Sequence, residues 1–143
     1  MPLKLTTKGK TQIFLLSIFL FGMLLSLALS DILIEEKISG DGFTNILTKI
    51  ASVYSIHLAI IIAGFFTRVN SKNEQKLDNE KISSVIIILL SVCWNLLVII
   101  TLINYANSKL IDYSQFIQRL DSISGAMNFL VAGGLAYYFG KAE

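Results

Sequence analysis

Charge is what this sequence has least of. Only 15% of its 143 residues are Asp, Glu, Lys or Arg, against roughly 25% in a soluble domain. Hydrophobic residues make up 54%, so a water-soluble globule would be short of polar surface. A single cysteine, Cys93, excludes an intrachain disulfide and a cysteine-based zinc site. A single histidine, His57, is too little for intramembrane metal chemistry, which wants several imidazole or carboxylate ligands. No GxGxxG, P-loop or HExxH motif occurs, and no basic patch is interleaved with aromatics. The formal charge of +2 is modest. The expectation is a chain that is no enzyme, needs no cofactor and binds no nucleic acid.

What is present is apolar sequence in long pieces. Charge-free runs extend over Thr11–Ser30, Ile50–Thr67, Ile82–Ser108 and Ser122–Gly140, or 20, 18, 27 and 19 residues. A transmembrane helix needs roughly 20 mostly apolar residues. A surface helix of a soluble protein would keep a polar stripe, and these runs have none. Barrel strands alternate apolar with polar, and SVIIILL and LAIIIAG do not. The reading is one all-α membrane domain, a four-transmembrane-helix bundle with spans near 11–32, 46–67, 82–105 and 122–140. The first span has the basic start and small residues (LALS) of a secretory leader, but its apolar stretch exceeds the usual 7–15 residues. Retention as a span is expected.

Positive charge marks the cytoplasmic ends of spans. Eight Lys and Arg fall in the N-terminal tail, the Thr67–Lys81 loop and the C-terminus, against four in the other two loops. Both termini are therefore expected inside, in a bacterial inner membrane. Gly40 and Gly42 punctuate the first outer loop, with Thr44 or Asn45 as candidate caps for the second helix. The inner loop mixes both signs, with Lys76 and Glu80 one turn apart. Asp112 and Gln115 resemble a capping box. Leu110, Tyr113, Phe116, Ile117 and Leu120 then recur at helical spacing against Gln115, Gln118, Arg119 and Asp121. This predicts a short amphipathic helix that lies at the outer interface or leads straight into span four. It serves as an anchor, a lid over a pore or a docking surface. Tyr137–Phe139 and Phe65–Phe66 stand where an inner aromatic belt belongs.

Inside lipid, helices associate through close packing and polar contacts. Ser124, Asn128, Ala132, Ala136 and Gly140 recur at intervals of four, with Gly125, Gly133 and Gly134 beside them. Two readings stay open for this stripe: packing within one bundle, or a seam between subunits of a homo-oligomer. Span two carries a similar stripe of Thr48, Ser52, Ser55, Ala59 and Ala63, and span one offers Gly22, Ser26 and Ser30. Asn95, beside Trp94, reads as interhelical glue, with Asn128 as a partner, or as part of a polar pathway. His57 reads as a neutral structural histidine hydrogen-bonded to a hydroxyl, or as a proton sensor.

The basic N-terminus, four tight spans, short loops and charged inner hairpin loop together resemble the small membrane subunits of bacterial anti-phage systems, such as those of the Kiwa and Rex systems. The likeness covers most of the chain as architecture and carries no residue with it. It implies phage-triggered signalling to a cytosolic partner, or a depolarising pore. From the residues themselves, the expected function is a noncatalytic oligomeric subunit that senses the envelope or anchors a cytoplasmic effector. The effector would dock on Arg68, Lys72, Lys76 and Lys81. A self-contained ion channel or small transporter is the alternative.

Overall fold

The computed structural model describes residues 7–34, 37, 38, 40–66 and 77–140. Four helices account for nearly all of them: α1 (Thr7–Ile34), α2 (Asp41–Phe66), α3 (Leu77–Asn107) and α4 (Tyr113–Gly140). Polar contacts between helix ends give their directions. Gln12 near the start of α1 donates to Ile61 O near the end of α2, at 2.7 Å. Lys37, just past α1, donates to Tyr105 O and Ser108 O at the end of α3, both at 3.0 Å. Ser84 early in α3 bonds the Tyr138 hydroxyl late in α4. Asn45 in the first turns of α2 donates to the Tyr113 hydroxyl at the start of α4, at 2.6 Å. The helices thus run up, down, up, down. Around the bundle α1 packs on α2 and α3, and α4 packs on α3 and α2, so α1–α3 form one side and α2–α4 the other.

Unlike a soluble protein, this bundle shows apolar side chains outward as well as inward, and buries several polar ones within its apolar core. Gln12, Ser26, Ser30, His57, Ser91 and Asn95 are buried, while Phe14, Phe21, Leu24, Ile32, Val85, Ile86, Leu89 and Leu96 are exposed. Three helical segments are long and apolar enough to cross a membrane: Gly9–Ile34, Asp41–Gly64 and Ile82–Asn107. At most 39% of the most apolar window in any of them is buried inside the bundle. The expected fourth span, 122–140, falls short on apolarity. Its glycines, Asn128 and two tyrosines dilute the hydrophobic residues, although the helix is long enough at 28 residues.

One helix boundary departs from expectation, and another is decided between two expected arrangements. Helix α2 begins at Asp41, ahead of both candidate caps. Gly40 has φ of 53°, a left-handed conformation that glycine adopts without steric cost and that ends the incoming loop. Thr44 N already bonds Gly40 O at 3.2 Å, so Thr44 lies inside the helix, and Asn45 is spent on Tyr113. The amphipathic segment is no separate helix; it forms the first turns of α4, the second of the two expected arrangements. Asp112 does start that helix, its Oδ1 accepting from Gln115 N at 2.8 Å and its carbonyl from Phe116 N at 3.1 Å. Of the expected inner belt, Tyr137 faces outward while Tyr138 and Phe139 turn into the bundle.

Candidate functional site in the bundle interior

The candidate site forms where α1, α2 and α3 converge at mid-height. Its scaffold is aromatic. Phe19, Tyr54, His57 and Trp94 are fully buried. The His57 imidazole stacks on Phe19, with centroids 4.9 Å apart and planes 11° apart, and lies 4.4 Å from the Trp94 ring. Tyr54 meets Trp94 edge-on at 4.8 Å. These rings reach the axis because α2 presents Val53, Tyr54, His57 and Ile61 on one face, the one-turn spacing of a helix.

Polar groups line the same level. Tyr54 Oη and Ser26 Oγ lie 3.1 Å apart, and Ser30 donates to Ser26 O at 2.8 Å. Asn95 Nδ2 donates to Ser91 O at 2.8 Å, within its own helix. Its Oδ1 lies against Gly22, where a Cβ would collide with it. Asn95 therefore joins α3 to α1, and the expected partnership with Asn128 is absent. Asn128 stands on α4 with its own Oδ1 buried and unpaired.

His57 also departs from expectation. Its Nδ1 lies 3.2 Å from Val53 O, a carbonyl one turn back, rather than on a hydroxyl. A carbonyl only accepts, so Nδ1 carries the proton and Nε2 presents a lone pair. That Nε2 has no hydrogen-bond partner, and neither do Trp94 Nε1, Ser91 Oγ or Asn95 Oδ1. Leaving such groups unpaired in a buried setting is costly. The cluster thus holds one orphan ring acceptor and one orphan ring donor in contact, His57 and Trp94, and no carboxylate.

Of the expected seam residues, Gly125, Gly133 and Ala136 are exposed, Asn128 and Ala132 are half-buried, and Gly140 ends α4. A Cβ at Gly125 or Gly133 would meet nothing within 4 Å. The small stripe of α2 also points out: Thr48, Ser52, Ser55, Ala59 and Ala63 are all exposed. Of the expected partner surface, Arg68, Lys72 and Lys76 lie outside the described residues, and Lys81 is placed only as part of the α3 backbone. The Lys76–Glu80 pairing falls outside the described side chains as well. Nothing in the spacing singled out Gln12 or Phe19. For Gln12 the available signal was a lone amide inside a charge-free run. Among the described residues no group of three or more His, Cys, Asp or Glu side chains gathers.

Comparison with protein-family models, curated proteins and solved structures returned no match. The chain is a helical, membrane-associated bundle, and its function has to be argued from its own surface and interior.

Proposed function

We propose that this chain is a noncatalytic subunit of a bacterial inner membrane that crosses the bilayer four times with both termini cytoplasmic. It assembles with copies of itself and either senses the envelope or anchors a cytoplasmic effector. The observation that carries the membrane part is the shell of exposed Ile, Leu and Phe on three helices long and apolar enough to span, around a core that buries several polar side chains. A lipid solvent makes that arrangement favourable. Helix α4 is less apolar than the others, yet it is tied to α2 at one end and to α3 at the other. If its neighbours span, α4 is carried across with them.

Self-assembly is supported by the outward-facing small residues of α2 and α4. Small side chains let helix backbones approach, which is what drives association in lipid. The effector-anchoring part rests on the bias of Lys and Arg toward the tail and the Thr67–Lys81 loop, and defence against phage rests on architectural likeness alone. The alternative is a channel, and the packed rings around Trp94 favour the noncatalytic subunit over a path through a single bundle.

The test is an affinity pull-down of tagged protein extracted in mild detergent, with native mass of the eluate. Resistance of the starting membranes to alkaline carbonate checks the spanning part. A defined homo-oligomer with a stoichiometric cytoplasmic protein supports the reading. A homo-oligomer alone that conducts in planar bilayers replaces it with the channel.

A further inference from the structure

A groove of about 510 Å³ runs between the last turns of α3 and the first turns of α4. Its walls are polar from both helices: Thr101 and Asn104 on α3, and Gln115, Gln118, Arg119 and Ser122 on α4. Beneath them Tyr105 and Phe116 stack with centroids 4.2 Å apart and planes 15° apart, both buried, which holds the two walls at a fixed spacing.

Arg119 is exposed and has no ion pair among the described residues. The acids near it are committed elsewhere. Asp121 pairs with Lys49 on α2, and Asp112 accepts from Gln115 N and the Ser114 hydroxyl. The groove therefore offers a free guanidinium together with the amides of Asn104, Gln115 and Gln118, a donor set suited to an anionic oxygen cluster.

The surroundings say which anion. Thr101 lies six residues before the end of α3, or ~9 Å at ~1.5 Å per residue, which is the headgroup–acyl boundary when that helix end marks the bilayer surface. Further toward the middle, both helices show apolar side chains. Leu97 and Ile100 are exposed one turn below Thr101 and Asn104, and Phe129 and Leu130 are exposed two turns below Ser122. The register set by Tyr105 against Phe116 and Ser84 against Tyr138 puts the apolar residues of α4 deeper than those of α3. A soluble anion has no use for the apolar track; a phospholipid uses both.

We propose that the α3–α4 groove binds the headgroup of an anionic phospholipid, with Arg119 holding the phosphate and the acyl chains lying over Leu97, Ile100 and Phe129. The proposal rests on membrane placement of α3 and α4 and does not depend on which side is cytoplasmic. Carbonate extraction reports on that placement separately, so loss of lipid binding in a protein that still resists extraction overturns this proposal alone.

The test is native mass spectrometry of the full chain, delipidated in detergent and then offered phosphatidylglycerol, phosphatidylcholine or inorganic phosphate. Phosphatidylglycerol adducts are expected to exceed phosphatidylcholine adducts. Arg119→Gln should weaken phosphatidylglycerol about tenfold, the worth of one lost charge-assisted bond, and Arg119→Lys should retain most of it. Asn104→Leu, on the opposite wall, should weaken it as well and carries the test if Arg119→Gln fails to fold. Equal retention by folded Arg119→Gln, or by Asn104→Leu in its place, would overturn the proposal. Displacement of the lipid by inorganic phosphate would also do so, by making the groove a soluble-anion site.

Discussion

The α1–α3 side of the bundle and the α2–α4 side are built on opposite plans. Between α1 and α3 the backbones approach until Asn95 lies against Gly22, and the outward faces carry Phe14, Phe21, Leu24, Val85 and Leu89. Between α2 and α4, Asn45–Tyr113 and Lys49–Asp121 are polar contacts at one end and near the surface, and Gly64 packs against Phe139 at the other. The outward faces there carry Ser52, Ser55, Ala59, Gly125 and Gly133, with Ile56, Ile62 and Phe129 among them. One side spends its small residues on closing the interior and shows bulk to lipid. The other leaves most of its small residues outside, although Gly64 of α2 is buried against Phe139 of α4.

The largest expected effect comes from the interior that the first side closes. Trp94 is fully buried and in contact with Phe19, Tyr54 and His57. Trp94→Ala is expected to cost ~3–5 kcal/mol, the range for removing a large buried aromatic, read from unfolding of the purified protein in mixed micelles. A cost below ~1 kcal/mol, well under that range, would mean that the ring cluster is loosely packed.

Gly22 sharpens the comparison by a single methyl group. Gly22→Ala places a Cβ into Asn95 Oδ1 and is expected to destabilise by ~1–3 kcal/mol, as overpacking does. Because the obstacle is a side chain, adding Asn95→Ala should recover most of that loss. A double-mutant cycle in the same micelles reads this coupling directly. Additive effects would show that Gly22 is needed for some reason other than the close approach of α3.

Gly133 is the counterpart on the second side, since nothing lies within 4 Å of a Cβ there. Gly133→Leu is expected to leave the stability of the isolated bundle within ~0.5 kcal/mol, as a substitution on an open surface should. The same change is expected to shift the native mass of the assembly toward the monomer. An unchanged oligomer would move the seam off α4, and a destabilised monomer would mean that the α4 face is covered within one chain.

The two plans differ in how far they can be read from sequence. Three spans follow from where charge is missing, because length and apolarity decide what lipid accepts. The start of α4 follows from Asp112 and its distance to Gln115. Which way a small-residue stripe faces does not follow. Spacing by four puts Thr48, Ser52, Ser55, Ala59 and Ala63 on one face of α2, but their exposure is decided by the bulkier opposite face, where Tyr54, His57 and Ile61 fill the axis. Apolarity all round a helix removes the soluble-protein cue for inside and outside. Likewise, Asn95 invites a polar partner from sequence, and the structure answers with a glycine, a contact that depends on backbone approach between distant segments.

The smallest effect separates the two sides at the end of the bundle away from the termini. There the first side is tied by Lys37, which donates to two carbonyls and lies 5.6 Å from the centroid of the Tyr105 ring. The second side relies on carboxylates at the same end. The bond from Gln115 N, followed by that from the Ser114 hydroxyl, holds the Asp112 carboxyl below the usual aspartate range. A carboxyl whose folded value is depressed stabilises the fold at pH above its unfolded value, and that contribution is lost as pH falls through the folded value. Acid should therefore fray the first turn of α4 while the α1–α3 end, held by a lysine on carbonyls, stays in place. Backbone NMR in micelles checks this: the Gln115 amide should shift with the Asp112 titration, the Leu33 and Ile34 signals at the end of α1 should not, and Asp112→Asn should remove the shift while keeping the cap. Concerted movement of both ends would mean that the two sides share one acid-sensitive contact and are not the separate constructions their packing describes.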